Sequence, residues 1–164
     1  MKNFTNILLL GGIFILITSC VKSPDFSDIP EIEFIGLSSS SLVQSSLNSD
    51  SLFLQFSFTD GDGDIGFEAE VFDQNIFIID NRTGDSYDAF KAPVIPEQGS
   101  SKGIEGTVTL RLFTTCCLFP DGTPPCESPR DFPTDTLTLD ISIKDRAGNF
   151  SNQVTTTPIV LFCD

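Results

Sequence analysis

The chain has 164 residues with 23 Asp or Glu, 9 Lys or Arg and no His, which gives a formal net charge of −14 at pH 7. An acidic surface of this kind repels phosphate backbones and anionic lipid head groups, so nucleic-acid binding is not expected. The absence of His removes the usual general base, the Ser-His and Cys-His nucleophile pairs, and nearly all catalytic zinc sites. The length and the 40% hydrophobic content suit one domain with a buried core. We therefore expect no catalytic residues and no enzymatic activity.

The amino terminus has the order of an export signal. Lys2 precedes an uncharged, apolar run over 7–17, which is shorter than the about 20 residues needed to span a bilayer. Residues 17–20, Ile-Thr-Ser-Cys, resemble a lipobox, in which the signal is cut before the Cys and that Cys is acylated. The alternative is an ordinary cleaved signal with Cys20 as a fifth thiol. The sequence predicts a signal peptide over 1–19 and a lipidated, palmitate-bearing Cys20.

A short polar stretch follows, over 20–30, and it has neither a helical nor a strand period. We interpret it as a tether and residues 31–164 as one domain. Removing 1–19 takes away Lys2 and no acid, so the rest of the chain is slightly more acidic. Acids at 25, 28, 31 and 33 loosely resemble the export signals of surface lipoproteins. The expected location is the bacterial outer membrane, lipid-anchored, with exposure on the cell surface favoured.

The predicted domain is a succession of short strands, because apolar residues alternate with polar ones and Val, Ile, Thr and Phe dominate. The Ser-rich stretch 38–51 is predicted to be a loop, and 86–103 to hold at most one weak edge strand. No helical period of useful length occurs after residue 20. The predicted fold is all-β, an immunoglobulin-like two-sheet sandwich of about seven strands, in preference to a closed barrel. The candidate strands are 32–37, 52–58, 71–72 with 76–79, 107–112, 136–143 and 154–162.

The segment 58–66, Phe-Thr-Asp-Gly-Asp-Gly-Asp-Ile-Gly, carries the clearest chemical signal. Asp60, Asp62 and Asp64 alternate with Gly, so a tight turn can gather hard oxygens around a Ca²⁺ ion, whose shell holds six to eight. The spacing does not fit an EF-hand, because Ile65 stands where that loop needs Gly. The alternative is a Gly-Asp turn with solvated acids. The sequence predicts a Ca²⁺ site here.

A second loop, 145–149, reads Asp-Arg-Ala-Gly-Asn and is typical of a hairpin turn. In an immunoglobulin-like strand order it lies at the same end of the sandwich as 59–70. We therefore add Asp145 and Asn149 to the candidate Ca²⁺ ligands. Like charges gathered at one end repel each other unless a cation or Arg146 compensates them. Weaker candidate ligands are Glu68, Asp80 and Asp85.

Four cysteines, Cys116, Cys117, Cys126 and Cys163, form an even set in an exported chain, which favours two disulfides. They lack the C-x₂-C spacing of zinc modules. Adjacent residues of an extended chain point to opposite sides, so one of Cys116 and Cys117 can close the local loop while the other reaches the carboxyl terminus. The preferred pairing is Cys117–Cys126 with Cys116–Cys163, and the swapped pairing stays open.

The lipobox at 17–20 and the motifs at 58–66 and 145–149 together resemble a family of uncharacterised, single-domain Bacteroidetes envelope lipoproteins. The resemblance implies an immunoglobulin-like lipoprotein with no assigned activity. The expected function is a non-catalytic, lipid-anchored cell-envelope module that supports protein or surface contacts and is stabilised by Ca²⁺. Its expected partners are the membrane, through Cys20, and an envelope protein or glycan. The alternatives are a carbohydrate-binding accessory lipoprotein, although the chain has no Trp and one Tyr, and an enzyme that uses paired carboxylates.

Overall fold

A computed structural model describes residues 25–71, 73–96 and 103–164. The predicted signal peptide and the predicted lipidation site Cys20 lie outside the described residues. No helix in the described part of the chain is long and apolar enough to cross a membrane. The strands of that part are β1 Glu31–Leu37, β2 Ser41–Val43, β3 Ser51–Asp60, β4 Ile76–Asp80, β5 Ser86–Phe90, β6 Ile104–Phe113, β7 Thr134–Leu137, β8 Leu139–Ile143, β9 Val154–Thr155 and β10 Ile159–Phe162.

The strands form three hydrogen-bonded sheets with the orders β1-β3-β6, β5-β4-β8-β9 and β2-β10-β7. β2 runs parallel to β10 and the other pairings are antiparallel. A single residue, Thr138, separates β7 from β8, so the chain passes from one sheet to the next almost without a break. The described residues are all-β, which confirms the predicted fold class.

Alternation between buried and exposed positions explains why these segments become strands. Along β3 every second residue from Leu52 to Phe58 is buried, and β4 and β8 bury alternate residues in the same way. The buried side chains of all three sheets join one hydrophobic cluster that includes Phe56, Ile78 and Leu161. Burying each such side chain contributes roughly 1.5–3 kcal/mol, so the core is the main source of stability. The two Asp-bearing loops sit at one end of this core.

Several sequence predictions about strands need correction, among them that of 154–162, which is divided into β9 and β10 in two different sheets. The Ser-rich stretch 38–51 is not entirely a loop, because it contains β2, whose Leu42 is buried against the core. Its strand conformation comes from parallel pairing with β10, close to the carboxyl terminus. The predicted strand 136–143 is divided at Thr138 between two sheets. The weak edge strand expected within 86–103 is present as β5.

The preferred disulfide pairing is wrong and the swapped one is found. Cys116 bonds to Cys126, and Cys117 bonds to Cys163. The regular alternation of side-chain direction ends with β6. Beyond it, the N–H of Cys117 donates to the side-chain oxygen of Gln44 at 3.0 Å. This contact turns Cys117 inward, where it is fully buried beside the equally buried Cys163. Cys116 is left half-buried, facing the local loop.

Candidate functional site

Three carboxylates meet where β3 ends. One oxygen from each of Asp60, Asp62 and Asp64 lies within 4.8 Å of the others. The chain turns tightly here because Gly63 and Gly66 adopt positive φ angles of 72° and 91°, in the left-handed region that favours Gly. The structure thus gathers the three acids that the sequence predicts for the Ca²⁺ site, on a turn directly attached to a core strand.

Asp60 is the most unusual member of this cluster, because its side chain is 0% exposed. Its Oδ2 accepts a hydrogen bond from the N–H of Asp64 at 2.8 Å. Its Oδ1 is buried without a hydrogen-bond donor among the described residues, and so is Oδ1 of Asp64. A buried oxygen without a donor costs free energy, and a buried charge costs more unless it is paired. A cation placed among the three carboxylates would remove both costs.

The pKa values of Asp60 and Asp64 also indicate that the negative charges of the cluster lack compensation. The pKa of Asp60 is raised from 3.8 to about 6, with burial as the largest cause. The hydrogen bond from the N–H of Asp64 opposes this rise, and the charges of the neighbouring carboxylates add to it. Burial and then the charge of Asp145 raise the pKa of Asp64. Without a bound cation, the folded protein therefore resists ionisation at this site.

The β8–β9 loop, residues 144–153, packs against this turn. The N–H of Ala147 donates to Oδ2 of Asp64 at 2.9 Å, and the N–H of Arg146 donates to the Asp64 carbonyl at 3.2 Å. Asp145 is 1% exposed, and its two carboxylate oxygens accept hydrogen bonds from the backbone N–H and side-chain Nδ2 of Asn149 at 2.7 and 2.8 Å. The structure therefore brings Asp145 and Asn149 to the cluster, but as a pair bonded to each other.

Arg146 contacts backbone carbonyls at this end. Its Nη1 donates to the carbonyls of Gly66 at 2.9 Å and Ile65 at 3.4 Å. Its charge lowers the pKa of Asp64 only as the smallest of several causes. The described ion pairs include none between Arg146 and the three carboxylates. Compensation of the acidic cluster by Arg146 is therefore small, which leaves the site suited to a cation.

The turn of the acidic cluster holds the amino-terminal segment, residues 25–30, and the β8–β9 loop holds the start of β1, which follows that segment. The N–H of Gly61 donates to the carbonyl of Ser27 at 2.7 Å. From the β8–β9 loop, Asn152 accepts from the N–H of Ile32 and donates to its carbonyl, both at 2.8 Å. Sequence reasoning missed both contacts, because Asn152 and Ile32 are 120 positions apart.

The opposite end of the sandwich holds a different polar group, centred on Arg82. Its guanidinium forms ion pairs of 2.6 Å with both Asp80 and Asp135 and donates to the carbonyl of Cys116 at 3.2 Å. Burial raises the pKa of Asp80, but its hydrogen bonds and ion pair with Arg82 outweigh burial and hold that pKa below its usual value. Asp80, a weaker candidate ligand, is thus ion-paired with Arg82, at the end of the sandwich away from the acidic cluster. The other two weak candidates, Glu68 and Asp85, are exposed.

A cleft of about 470 Å³ lies beside Arg82, and Tyr87, Asp85 and Asp88 contribute to its walls. The Tyr87 hydroxyl donates to the carbonyl of Phe113, which fixes the ring in place. The turn of residues 80–85 was recognisable in the sequence from its Asp, Asn and Gly, but its ion pair to Asp135 was not, because that partner is distant along the chain. No local pattern would have revealed it.

The donor chemistry of the acidic cluster fits a hard divalent cation. Its carboxylate oxygens are the ligands that Ca²⁺ prefers, and a shell of six to eight oxygens leaves room for backbone carbonyls and water. Comparisons with known proteins add no further guide, since no family model, no curated protein and no solved structure matches this chain.

Proposed function

We propose that this chain is a non-catalytic, lipid-anchored module of the bacterial outer membrane that supports protein or surface contacts and binds Ca²⁺ at its amino-terminal end. The lipobox-like residues 17–20 support the anchor, and the absence of His supports a role other than catalysis. The observation that carries the Ca²⁺ assignment is Oδ1 of Asp60, which is buried among carboxylates and receives no hydrogen bond from the residues that the structure describes.

Asp60, Asp62 and Asp64 supply the core of the proposed Ca²⁺ site. Each can offer at least one oxygen from the same turn, so binding needs little rearrangement of the backbone. Asp145 adds a buried negative charge beside them, and Asn149 orients its carboxylate. The bound ion would neutralise charges that otherwise repel, and that neutralisation stabilises the folded state by linkage.

The position of the site suggests what the ion does. The turn that follows Asp60 holds the amino-terminal segment, which leads towards Cys20 in the sequence, and the β8–β9 loop holds the start of β1 directly after that segment. Ca²⁺ would stiffen the end of the domain nearest the proposed anchor. A rigid base would present the far end of the sandwich, with its disulfides and cleft, to partners away from the membrane.

The strand arrangement supports the immunoglobulin-like part of the proposal. One layer contains β1, β3 and β6, and the central strand pair of another is β4 with β8. β2 follows β1 in the chain but lies in a different sheet, where it runs parallel to the last strand, β10. Consecutive strands exchanged between two packed sheets are typical of immunoglobulin-like sandwiches.

The anchor is tested by expressing the full chain in a bacterial host supplied with labelled palmitate. We expect the label on the wild-type protein and on a Ser23→Ala control, and its loss in Cys20→Ala together with release from the outer-membrane fraction. Equal labelling of Cys20→Ala and the control would contradict the anchor. An unlabelled wild-type protein would also contradict it.

Carbohydrate binding is a second proposal, and the cleft beside Tyr87 is the observation that favours it. An aromatic ring with Asp and Ser groups nearby suits a sugar, whose faces stack and whose hydroxyls form hydrogen bonds. A glycan array of wild type and Tyr87→Ala tests this proposal. Binding that Tyr87→Ala abolishes would support it, whereas no bound glycan would leave the contact module as the better account.

A further inference from the structure

The cleft beside Arg82 lies between parts of two different sheets. One wall comes from β5 and the turn before it, which contribute Asp85 and Asp88. Another wall comes from the end of β6 and the residues after it, among them Phe113 and Leu118. Its volume of about 470 Å³ falls within the range of roughly 300–1,000 Å³ that is typical of ligand sites. The cleft can therefore take a side chain together with part of the backbone that carries it.

A bulge in β5 sets the direction of two side chains in this cleft. Ile78 pairs with Asp88. The next residue, Ile79, pairs with Ser86, so Tyr87 is an extra residue in the strand. Neighbours in a regular strand point to opposite faces, but a bulge re-aims side chains next to it. Tyr87 and Asp88 accordingly both line the cleft, which places an aromatic ring beside a carboxylate.

The ring of Tyr87 is fixed and uncharged. Its hydroxyl donates to the carbonyl of Phe113, which ties the ring to the end of β6. Burial raises the pKa of Tyr87 to about 12. The charge of Arg82 opposes this rise, and the charges of Asp80 and Asp88 add to it. Because the hydroxyl keeps its proton at neutral pH, the ring can attract a cation placed over its face.

The charged groups that line the cleft are mostly acidic. They are three carboxylates and one guanidinium, which leaves a net charge of −2. The guanidinium is that of Arg82, whose ion pairs with Asp80 and Asp135 compensate its charge. Among the residues that the structure describes, Asp85 and Asp88 form no ion pair. The cleft thus offers two carboxylates to a cation from outside, and it repels an anion.

Apolar groups complete the walls. Leu118 and Pro125 line the cleft together with the ring of Tyr87. Arginine and lysine side chains have an apolar stem and a cationic head, so the stem can pack on such a surface while the head meets the carboxylates. A neutral sugar brings no charge to Asp85 and Asp88. The cleft therefore suits a basic peptide better than a neutral glycan.

We propose that this cleft binds a basic side chain of an envelope protein, with Asp85, Asp88 and the ring of Tyr87 receiving its charged head. Arginine fits better than lysine, because its planar guanidinium can stack on a ring and also donate to a carboxylate. This role of the cleft rests on the proposed function, since it gives the chemistry of a partner for the contact module. It does not depend on Ca²⁺, because the acidic cluster lies at the other end of the sandwich.

NMR titration of the isotope-labelled chain 21–164 tests the proposal, because the core and both disulfides lie within residues 25–164. The probe is the blocked peptide acetyl-Gly-Arg-Gly-amide. Its control carries citrulline, which has the shape of arginine without the charge. We expect the arginine peptide to shift the backbone resonances of Ser86, Tyr87, Asp88 and Thr115, and to bind more weakly as NaCl is added. The citrulline peptide should bind about fivefold more weakly or less.

Two double variants with the same change in net charge separate the cleft from the overall acidity. Asp85→Asn with Asp88→Asn should weaken binding of the arginine peptide by about fivefold or more. Glu31→Gln with Glu33→Gln changes exposed acids of β1 outside the cleft, and it should bind as wild type does. Tyr87→Leu keeps an apolar side chain without the aromatic face and should weaken binding by about threefold. Dispersed amide spectra and cooperative melts identify the variants that are folded.

An arginine peptide that shifts no cleft resonance at millimolar concentration would overturn the proposal. Equal binding of the arginine and citrulline peptides would also overturn it, and so would equal binding by the two double variants. Glucosamine is the remaining probe. If it shifts the cleft resonances and the arginine peptide does not, an amino sugar replaces the peptide as the occupant. Failure of the proposed anchor is distinguishable, because it would appear as an unlabelled wild-type chain whose cleft still binds the arginine peptide.

Discussion

The backbone N–H of Gly61 donates a 2.7 Å hydrogen bond to the carbonyl of Ser27, so the turn of the acidic cluster directly holds the amino-terminal segment. The approach is so close that a Cβ on Gly61 would lie 2.4 Å from the carbonyl oxygen of Phe26 and 2.9 Å from that of Ser27. Backbone atoms cannot yield as a flexible side chain would. Gly61 is therefore a structural requirement for docking this segment.

Gly61→Ala should release the amino-terminal segment while the sandwich remains folded, because the three atoms nearest to the added Cβ belong to residues 26 and 27. Hydrogen exchange followed by mass spectrometry should show faster exchange of residues 25–30, by about tenfold or more, with the core strands unchanged. Gly36→Ala is the matched control, since a Cβ there meets nothing within 4 Å. Equal exchange of the segment in both variants would contradict its docking through Gly61.

Arg82→Met should strongly destabilise the fold, because it leaves the carboxylates of Asp80 and Asp135 without their ion-pair partner. The expected loss is about 3 kcal/mol in the free energy of unfolding, measured by denaturant titration. Arg130→Met is the control, since that Arg is exposed and should change stability by less than about 0.5 kcal/mol. Similar losses in the two variants would show that the Arg82 group contributes little.

In the presence of EDTA, stability should depend on pH through Asp60. Its pKa is about 6 in the folded state, whereas the ordinary value is 3.8. The stabilisation of the folded state by protonated Asp60 is therefore fully present below pH 3.8 and is lost as the pH rises through about 6. Asp60→Asn removes this charge and should be more stable than wild type at pH 7 by about 2 kcal/mol. The difference should shrink towards pH 4.5 in thermal melts. A difference independent of pH would contradict the raised pKa.

The two disulfides should contribute unequally to the free energy of unfolding. Cys117–Cys163 joins residues 46 positions apart, and Cys116–Cys126 joins residues 10 positions apart. Because a longer closed loop restricts the unfolded chain more, we expect the two bonds to stabilise the folded state by about 4 and about 3 kcal/mol, respectively. Replacing the first pair by Ala also opens space in the core, because Cys117 and Cys163 are both buried. Denaturant titration of the two double-Ala variants measures the difference. Equal losses, or a larger loss for the local pair, would contradict this ordering.

The sequence predicts well what is decided locally. The alternation in β3 and the Asp-Gly spacing at 60–64 are both properties of a few consecutive residues, and both predictions agree with the backbone found. What the sequence does not reveal depends on distant partners. β2 becomes a strand because β10 lies beside it, and the inward turn of Cys117 depends on Gln44, 73 positions away. Pairing across such separations follows from the packed fold rather than from any local pattern.

Binding of Ca²⁺ by the cluster at Asp60 is tested by thermal melting of the chain 21–164 in millimolar Ca²⁺ and in EDTA. Asp60→Asn is the test variant, and Asp85→Asn, an exposed acid outside the cluster, is the control with the same change in charge. We expect Ca²⁺ to raise the melting temperature of wild type and Asp85→Asn by several degrees and to leave that of Asp60→Asn unchanged. Superimposable wild-type curves in Ca²⁺ and EDTA would contradict it.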